Sequence, residues 1–457
     1  MAVDRLAPAA APPCLVLYLM EKPFVNIHWF RRDLRLVDNH ALYRALKDHG
    51  EVLPLFIFDT AILERLEDRA DRRVDFIHRT LVRLKRELEQ AGGTLLVEHG
   101  TPEEVWPRVL QRFNVGAVTV VHDHEPYSLR RDAAVQQWLE ARGVAWHSYK
   151  DISIFERDEV LKADGTPYSV FTPYGRKWRS MLNDAVLREY PSGEQLHHLH
   201  KVAPLPMPSI TDIGFQATDL VVPDPHVADE LIAGYGATRD LPGVAGTSRL
   251  GVHLRFGTVS VRAQARRALG HGEVFLNELA WREFFMQLMW HHPHVADRPF
   301  KPAYERMIWH NNPAHFRAWC QGMTGFPFVD AGMRELAATG FMHNRARMVT
   351  ASFLVKHLLI DPRWGEAWFA EKLLDFELSS NNGNWQWVSG SGCDAAPWFR
   401  VFNPARQLER FDHGRGYVER WIPEFGTTAY PAPIVDHAMA VNRAVEHYKS
   451  TLMEWKT

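Results

Sequence analysis

The sequence predicts an α/β domain built on a doubly wound, Rossmann-like parallel sheet, followed by a large all-α domain. Short apolar runs alternate with amphipathic segments of helical length over the first 150 residues, as in a sheet with helical crossovers. Strand signals end near residue 226, after a proline-rich stretch. At 457 residues the chain is long enough for about two or three domains.

Five apolar runs in the first half predict the strands, at residues 24–30, 52–58, 94–97, 117–122 and 144–149. Helices are expected between them, since apolar residues recur every three or four positions from Val74 to Leu88, and segments 103–113 and 129–142 fill the next gaps. Sheets of this class bind ligands beyond the carboxyl ends of their strands. The first strand is followed by Arg31-Arg32-Asp33 and not by GxGxxG, which disfavours a nicotinamide dinucleotide.

The chain divides into four predicted segments. Residues 1–22 are expected to be a disordered tail or a misassigned start, and residues 23–150 form the α/β domain. Residues 151–225 contain eight prolines and predict a connector that is extended over 201–225. Residues 226–450 predict a helical domain, with helices at 260–269, 275–290, 313–320, 329–338, 344–359 and 366–374.

The composition disfavours several classes of protein and site. Lys and Arg number 53 against 55 Asp and Glu, so binding to nucleic acid would need a local basic patch. Cys14, Cys320 and Cys393 lie too far apart for a CxxC metal site or a disulfide framework, which predicts a reducing, cytoplasmic location. No apolar stretch reaches the roughly 20 residues of a membrane helix. The histidine runs at 197–200 and 291–294 are more typical of surface turns than of ligands, so no metal is predicted.

Three clusters in the second half carry polar chemistry. Residues 246–251 (GTSRLG) precede a helix and suit either a phosphate or a plain helix cap. Glu278 and Arg282 share a helix face beside Trp281 and could form a surface ion pair. Residues 375–387 combine two acids, three asparagines and two tryptophans, which predicts a polar aromatic loop that binds a ligand. Sixteen tryptophans, eleven of them after residue 225, predict an aromatic core, stacking on a planar ligand or a path for electrons.

Six segments, in order, resemble the cryptochrome/photolyase family. They span most of the chain from about residue 24 to 425 and read HWFRRDLRLVDNHAL, GTSRLGVHLRFGTVS, NELAWREFF, TGFPFVDAGMRELAATGFMHNRARMVTASFLVKHLL, NNGNWQW and DAAPWFRVFNP. The resemblance is closest to the class I photolyases that repair cyclobutane pyrimidine dimers. It implies an antenna domain, a helical FAD-binding domain, and a monomer that acts on UV-damaged DNA. The implied reaction is light-driven electron transfer from reduced FAD to a flipped-out dimer.

The resemblance also implies roles for residues, position by position. Contacts with FAD are implied at Tyr235, Thr247, Ser248, Arg249, Leu250, Gly251, Glu278, Arg282, Asn344, Arg347, Asp375, Glu377 and Asn381. Asn381 would face flavin N5, and Glu278 would hydrogen-bond the dimer bases. The rest of the dimer pocket is implied at Trp281, Trp387, Asn344 and Met348. Contacts with the DNA backbone are implied at Arg239, Arg345 and Arg400.

The sequence departs from the family pattern in several places. Gly251 stands where many relatives have Ser, Glu377 where Asp is usual, and Phe341 where Trp is common. The largest departure concerns the tryptophan triad that photoreduces oxidised FAD. Its inner and outer members match Trp385 and Trp309, whereas Pro362 occupies the middle position. We therefore expect photoreduction to be slow, or to be rerouted through Trp364 or Trp368.

The resemblance leaves the antenna and two rival functions open. Tyr127 and Ser128 stand where folate-binding relatives have an Asn-Glu pair, so a folate, a deazaflavin, a flavin or nothing could occupy the first domain. A signalling cryptochrome would share the FAD fold, but it usually has a C-terminal extension and tends to lose the dimer-pocket residues. A (6-4) photolyase tends to have two histidines where this chain has His343-Asn344, and another in place of Met348.

Overall fold

Five parallel strands form the sheet of the first domain in the computed structural model, which describes residues 22–453. The strand order is β3-β2-β1-β4-β5, and every neighbouring pair is parallel. The predicted doubly wound sheet is therefore confirmed, whereas the prediction for residues 1–22 lies outside the described residues, apart from Lys22. The strands are β1 Phe24–Phe30, β2 Val52–Phe58, β3 Leu96–His99, β4 Asn114–Val121 and β5 Ala145–Tyr149.

Five helices accompany the sheet, two more than the sequence predicts. The short helix α1 was missed because it has only nine residues, although Asn39 caps it by accepting a hydrogen bond from the Leu42 amide at 3.0 Å. The four-residue helix α2 is too short to show periodicity. The helices are α1 His40–Asp48, α2 Thr60–Leu63, α3 Arg72–Gln90, α4 Pro102–Arg112 and α5 Pro126–Glu140.

Both faces of the sheet are buried, because alternate strand residues enter two different apolar clusters. Ile27 and Trp29 of β1 pack with residues of α4 and α5 on one face. Phe30 of β1 packs with residues of α1 and α3 on the other face. This second cluster also contains Val252 and Phe256, so it is continuous with the helical half of the chain.

The connector contains helical structure as well as extended chain. Helix α6, Phe171–Ser180, and a 3₁₀ segment, Ser192–His198, lie within it, whereas residues 201–225 form neither helix nor strand. Helix α6 is held against the helical domain because the Trp178 indole donates to Glu283 at 2.6 Å. The extended part of the connector is as predicted, and the helix within it is not.

Helices alone form the second half of the described chain. One predicted helix, 344–359, is regular only to Ser352 and continues as a π-helical turn over Phe353–His357. No helix among residues 22–453 combines the length and apolarity needed to cross a bilayer. The helices are α7 Asp229–Thr238, α8 Gly251–Phe256, α9 Val261–His271, α10 Glu273–His291, α11 Pro313–Cys320, α12 Pro327–Thr339, α13 Asn344–Ser352, α14 Pro362–Lys372, α15 Leu378–Ser389, α16 Pro404–Phe411, α17 Gly416–Trp421 and α18 His437–Met453.

The prediction of a loop at residues 375–387 is wrong, since most of this segment belongs to helix α15. Tertiary contacts outweigh the poor helix propensity of Asn and Gly here. A Cβ atom at Gly383 would lie 2.2 Å from the Phe285 ring, so only glycine allows α15 and α10 to approach this closely. Asn381 and Asn382 donate to the backbone carbonyl and the carboxylate of Glu366, respectively, at 3.1 and 3.0 Å.

The carboxyl ends of β1 and β4 face the helical domain and are filled by an ion-pair network. Arg32, just after β1, contacts Asp123 and Glu125 beyond β4 at 3.1 and 3.3 Å. The same guanidinium reaches Glu377 of the helical domain at 2.6 Å. Arg255 also pairs with Glu125. The position where many doubly wound sheets bind a ligand is thus occupied by charged side chains that join the two halves.

Candidate active site

A cavity of about 340 Å³ opens between helices α10, α13, α14 and α15. Most of the predicted site residues of the helical domain line it. Those brought together here are Arg239, Glu278, Trp281, Arg282, Asn344, Arg347, Met348, Asp375, Glu377, Asn381, Trp385 and Trp387. They come from segments up to about 150 residues apart in sequence, so the cavity is a product of the fold and not of one motif.

Helix α10 presents Glu278, Trp281, Arg282 and Phe285 to the cavity, at spacings of three and four that place them on one face. The expected ion pair between Glu278 and Arg282 is not formed. Glu278 pairs instead with Arg239, and Arg282 lies 3.6 Å from Glu377 and donates to two backbone carbonyl groups. The sequence pattern gave the correct face but the wrong partners.

Burial and a neighbouring arginine act in opposite directions on the Glu278 carboxyl group. Burial raises its pKa, because removal from water disfavours the carboxylate, while the Arg239 guanidinium acts in the opposite direction. The net shift is upward. A carboxyl group in this state is suited to donate a hydrogen bond to a carbonyl oxygen once Arg239 is engaged elsewhere.

Two tryptophans give the cavity aromatic walls. Trp281 stacks on Phe171, the first residue of α6, with ring centroids 3.6 Å apart and planes 9° apart. Trp387 lines the same cavity from α15. Phe171 was not among the predicted site residues, since nothing in the sequence of the connector relates it to Trp281. Its stacking fixes the plane of the Trp281 ring.

Helix α13 contributes Asn344, Arg347 and Met348. The Asn344 amide points toward the Met348 sulfur, at 3.9 Å, as expected for positions four apart on a helix. Arg347 donates to both carboxylate oxygens of Asp375, at 2.9 and 3.1 Å. One guanidinium nitrogen, Nη2, makes both bonds, and this ion pair joins α13 to the start of the segment that leads into α15.

Gly251 lies directly against Asp375. A Cβ atom at this position would be 2.6 Å from the Asp375 carboxylate, so the serine of many relatives would not fit here without movement. The departure from the family pattern thus has a local steric reason. The neighbouring predicted residues Thr247, Ser248 and Leu250, like Tyr235, do not line the main cavity.

Arg249 lines a second cavity of about 260 Å³, which shares Asp375 with the main one. Its backbone is left-handed, with φ 51°, and its guanidinium lies 4.5 Å from the centre of the Phe341 ring. Arg249 forms no ion pair with a carboxylate among residues 22–453. Glu335 feels the charge of Arg249 but does not form an ion pair with it, and a guanidinium that faces a cavity in this way suits a phosphate group.

The longer side chain of Glu377 reaches across to the first domain. Its carboxylate contacts Arg32 at 2.6 Å and accepts from the Ser380 hydroxyl at 2.7 Å. Burial alone would raise its pKa, but Arg282 and Arg32 hold the pKa below its usual range. His124, Glu125 and Glu377 bring ligand atoms within 4.8 Å of one another, yet the surrounding arginines already satisfy these carboxylates.

Asn381 lies between the main cavity and a third cavity of about 690 Å³. Trp309, Pro362 and Trp385 line this third cavity together. The family resemblance predicts the middle tryptophan of the triad between Trp385 and Trp309, and here this cavity and Pro362 lie between them. Trp364 does not line this cavity. Its ring packs near Phe316 instead, with the ring centroids 5.1 Å apart.

The three predicted DNA-contacting arginines differ in their surroundings. Arg239 lines the cavity and pairs with Glu278, and Arg345 contacts Asp240 at 2.7 Å. Arg400 stacks near Phe402 at 5.4 Å and does not line the main cavity. Arg239 and Arg345 are both tied to acids near the cavity mouth, and a phosphate could replace those partners.

Comparison with known proteins agrees with this architecture. Residues 26–194 match the family described as DNA photolyase, and residues 275–429 match the FAD binding domain of DNA photolyase. A deoxyribodipyrimidine photo-lyase of Synechococcus is 36% identical over 454 residues, covering 90% of this chain and 93% of that protein. The chain belongs to the photolyase family. The predicted resemblance is therefore confirmed.

Two solved photolyase structures have the same fold over nearly their whole length. The class III photolyase of Agrobacterium tumefaciens has a TM-score of 0.84 at 30% identity, covering 95% of this chain and 99% of that one. The archaeal photolyase of Sulfolobus tokodaii, solved with two FAD molecules, has a TM-score of 0.76 at 31% identity, covering 93% and 99%. These photolyases share both the parallel sheet and the helical domain that forms the cavity.

The residues around the cavities fit FAD chemically. Arg249 and Arg282 are cations suited to a diphosphate, and the Arg347–Asp375 pair offers both a donor and an acceptor to a polar ring edge. Asn381 presents an amide to the same space. The family match to an FAD binding domain covers most of these positions.

Proposed function

We propose that this protein repairs cyclobutane pyrimidine dimers in DNA with light, using FAD held in the helical domain. One observation carries the proposal. A single cavity joins the predicted dimer-pocket residues to those predicted for the flavin ring, with Glu278, Trp281 and Met348 beside Asn381 and Arg347. Reduced FAD, when bound, supplies upon illumination the electron that splits the cyclobutane ring, and regains it afterwards.

The residues of the chain bind and orient the lesion. A dimer must leave the helical stack to reach the cavity, and a damaged pair costs less to flip than an intact one. Trp281 and Trp387 pack against the flipped bases, and stacking of this kind contributes about 1–3 kcal/mol per base. Phe171 keeps the Trp281 ring in the orientation that the bases meet.

Glu278 and Arg239 exchange partners when DNA binds. A backbone phosphate attracts Arg239 away from the carboxyl group, and Arg345 and Arg400 add further phosphate contacts. Without its cationic partner, the half-buried Glu278 carboxyl group keeps only the upward effect of burial on its pKa, which favours the protonated form. It then donates a hydrogen bond to a base carbonyl, while Asn344 contacts the same bases.

Further features of the proposal follow from the same family assignment. A second chromophore, whether folate, deazaflavin or flavin, would act as antenna; the two FAD molecules of the Sulfolobus tokodaii photolyase support this. We propose that the protein acts as a monomer in the cytoplasm on UV-damaged DNA. Two buried, unpaired cysteines, Cys320 and Cys393, are consistent with a reducing compartment.

The deciding experiment is repair of a thymine-dimer oligonucleotide by purified, prereduced protein, under blue light and in the dark. We expect the dimer to disappear only in the light. Glu278→Ala should slow repair and weaken binding, whereas Glu409→Ala, on the exposed part of α16, serves as a control for loss of a glutamate. Persistence of the dimer in a protein that holds FAD would contradict the proposal, and a (6-4) lesion would then be tested.

A further inference from the structure

The route for electrons into the flavin site is interrupted on the side of Pro362. The third cavity lies between Trp385 and Trp309, and its lining includes Pro362 in place of a ring. Trp309 has a ring contact with Tyr448, at 6.1 Å, but none with Trp385 among the described residues. Electron tunnelling slows steeply with distance, so this gap disfavours transfer from Trp309 to Trp385.

Trp385 has a different aromatic neighbour. Its ring meets that of Trp319 edge to face, with centroids 6.3 Å apart and planes at 71°. Trp319 stacks in turn on Phe316 at 5.8 Å, and Phe316 meets Trp364 at 5.1 Å. These contacts form a continuous aromatic path from the cavity wall to a partly exposed tryptophan on α14.

We propose that Trp385, Trp319 and Trp364 form the electron relay of this protein, with Phe316 as the bridge between the last two. The inference rests on the proposed binding of FAD. It also refines the expected rerouting, because Trp364 alone does not touch Trp385, and Trp319 supplies the missing step. Trp319 had no role in the sequence-based assignment.

The packing of α14 explains why Trp364 lies on the far side. Gly365 is pressed against Trp385, since a Cβ atom there would lie 2.1 Å from the indole ring. Gly365 and Phe369 share the helix face toward Trp385, which Phe369 contacts at 5.0 Å. Trp364 and Trp368 share the neighbouring face and approach Phe316 at 5.1 and 6.5 Å, so Trp364 is the nearer exit.

The electrons in this relay balance as follows. Each absorbed photon moves one electron from Trp385 to the oxidised flavin ring, and Trp319 refills Trp385. Trp364 refills Trp319 and releases its indole proton to water. A small-molecule thiol then returns a hydrogen atom, which is one electron and one proton, to Trp364, and two of the resulting thiyl radicals combine to form a disulfide. Two such cycles deliver the two electrons of full reduction.

The surroundings of Trp319 suit it to pass the oxidation on to Trp364 and do not suit it to remain oxidised. Its side chain is fully buried, and its indole N–H donates to the Thr350 carbonyl at 3.0 Å. An oxidised Trp319 therefore cannot release its proton to water. Trp364 is partly exposed, so its oxidised form can lose a proton and persist until the thiol reacts.

The test compares four phenylalanine variants of the oxidised FAD-bound protein under blue light with dithiothreitol. Trp319→Phe and Trp364→Phe should each lower the rate of flavin bleaching about tenfold or more, equivalent to about 1.4 kcal/mol or more of barrier. Trp309→Phe should keep the wild-type rate if the relay is correct, and Trp421→Phe controls for loss of an indole elsewhere. Transient absorption should detect a tryptophan radical that is long-lived in the wild type and short-lived in Trp364→Phe.

The outcomes separate the relay from the function on which it rests. Protein that purifies without flavin and cannot be loaded with it contradicts both proposals. A flavin-bound Trp319→Phe protein that bleaches at the wild-type rate, or a Trp309→Phe protein that does not bleach, overturns the relay alone. Because Trp319 is buried, the flavin spectrum and the melting temperature of each variant establish that it is folded, and partly exposed Trp364 provides a second, milder variant.

Discussion

At the level of single residues, the carboxyl group of Glu278 has an environment that predicts a pH dependence. Burial raises its pKa, so its neutral, donating form is lost as the pH rises through that raised value. We expect the affinity of the wild type for dimer-containing DNA to fall over this range. The measurement is the dissociation constant for a thymine-dimer oligonucleotide between pH 5 and 9 at constant salt.

Glu278→Gln provides the matched variant, because an amide keeps a donor but does not titrate. Its affinity should stay nearly constant with pH, whereas Glu278→Ala should bind weakly at every pH, by about 1–3 kcal/mol for a lost buried hydrogen bond. A pH profile of Glu278→Gln that matched the wild type would show that another group titrates.

The residues of the site could be chosen from the sequence largely because of family motifs, whereas their contacts could not. Glu278 and Arg282 share a face as predicted, but each finds its partner on another segment, Arg239 and Glu377. Phe171 left no signal, because the stacking on Trp281 joins positions 110 residues apart. Spacing rules describe neighbours along one helix and are silent about partners that only the fold brings close.

At the level of elements, helix α6 positions an aromatic wall of the main cavity, the proposed dimer pocket. Phe171→Ala removes the ring that stacks on Trp281 at 3.6 Å, and we expect weaker binding of dimer DNA. An aromatic pair contributes about 0.5–1.5 kcal/mol beyond its buried area, which corresponds to roughly a twofold to tenfold change in affinity. Fluorescence anisotropy with a labelled dimer oligonucleotide measures this affinity. The FAD content of Phe171→Ala should equal that of the wild type.

Val170→Ala is the control for this change, since Val170 precedes Phe171 and is 43% exposed. Phe171→Tyr keeps an aromatic ring and should restore most of the affinity. Equal losses in Val170→Ala and Phe171→Ala would mean that the connector responds as a whole and that the stacking has no separate effect.

Helix α15 shows where element prediction from sequence fails. Its asparagines and Gly383 disfavour a helix, and the segment was expected to be a loop. The close approach of Phe285 to Gly383 and the hydrogen bonds of Asn381 and Asn382 to Glu366 supply the compensation. The strands β1 and β2, by contrast, were located exactly, because buried parallel strands are continuous apolar runs bounded by polar turns.

Two glycine-to-alanine changes should shift stability in opposite directions. In Gly383→Ala the new methyl group would meet the Phe285 ring at 2.2 Å, so we expect a loss of about 1–3 kcal/mol from overpacking. In Gly270→Ala, on α9, no atom lies within 4 Å, and we expect a gain of about 0.4–1 kcal/mol. Urea unfolding followed by circular dichroism measures both, and a gain in Gly383→Ala would contradict the packing described for α10 and α15.

At the level of the whole molecule, the two domains are joined by buried charges more than by a hinge. Arg32 contacts Asp123, Glu125 and Glu377, so one guanidinium neutralises acids from both halves. Arg32 belongs to the sequence Arg31-Arg32-Asp33, which follows β1 in place of the GxGxxG motif of a dinucleotide-binding site. Its function in the fold is to fill the ends of the strands and fix the helical domain against them.

Arg32→Met should therefore destabilise the protein by about 3–5 kcal/mol at neutral pH, because buried Asp123 loses its arginine partner and Glu377 keeps only the more distant Arg282. The pKa values of Asp123 and Glu377 are lowered: although burial opposes the shift, the arginines stabilise the carboxylates. In the wild type this contribution is present above pH 4 and is lost as the pH falls further.

The variant should have the opposite slope. Without Arg32 the desolvated carboxyl groups favour protonation, so the free energy of unfolding should rise as the pH is lowered from 7 toward 5. Urea unfolding at several pH values, followed separately by flavin fluorescence and by circular dichroism, measures the slope and shows whether the domains still unfold together. Arg83→Met, which removes a surface pair with Glu87 at 3.7 Å, should change stability by less than about 1 kcal/mol. If Arg32→Met behaved like Arg83→Met, the network would be structurally neutral and the apolar cluster around Val252 and Phe256 would hold the domains together alone.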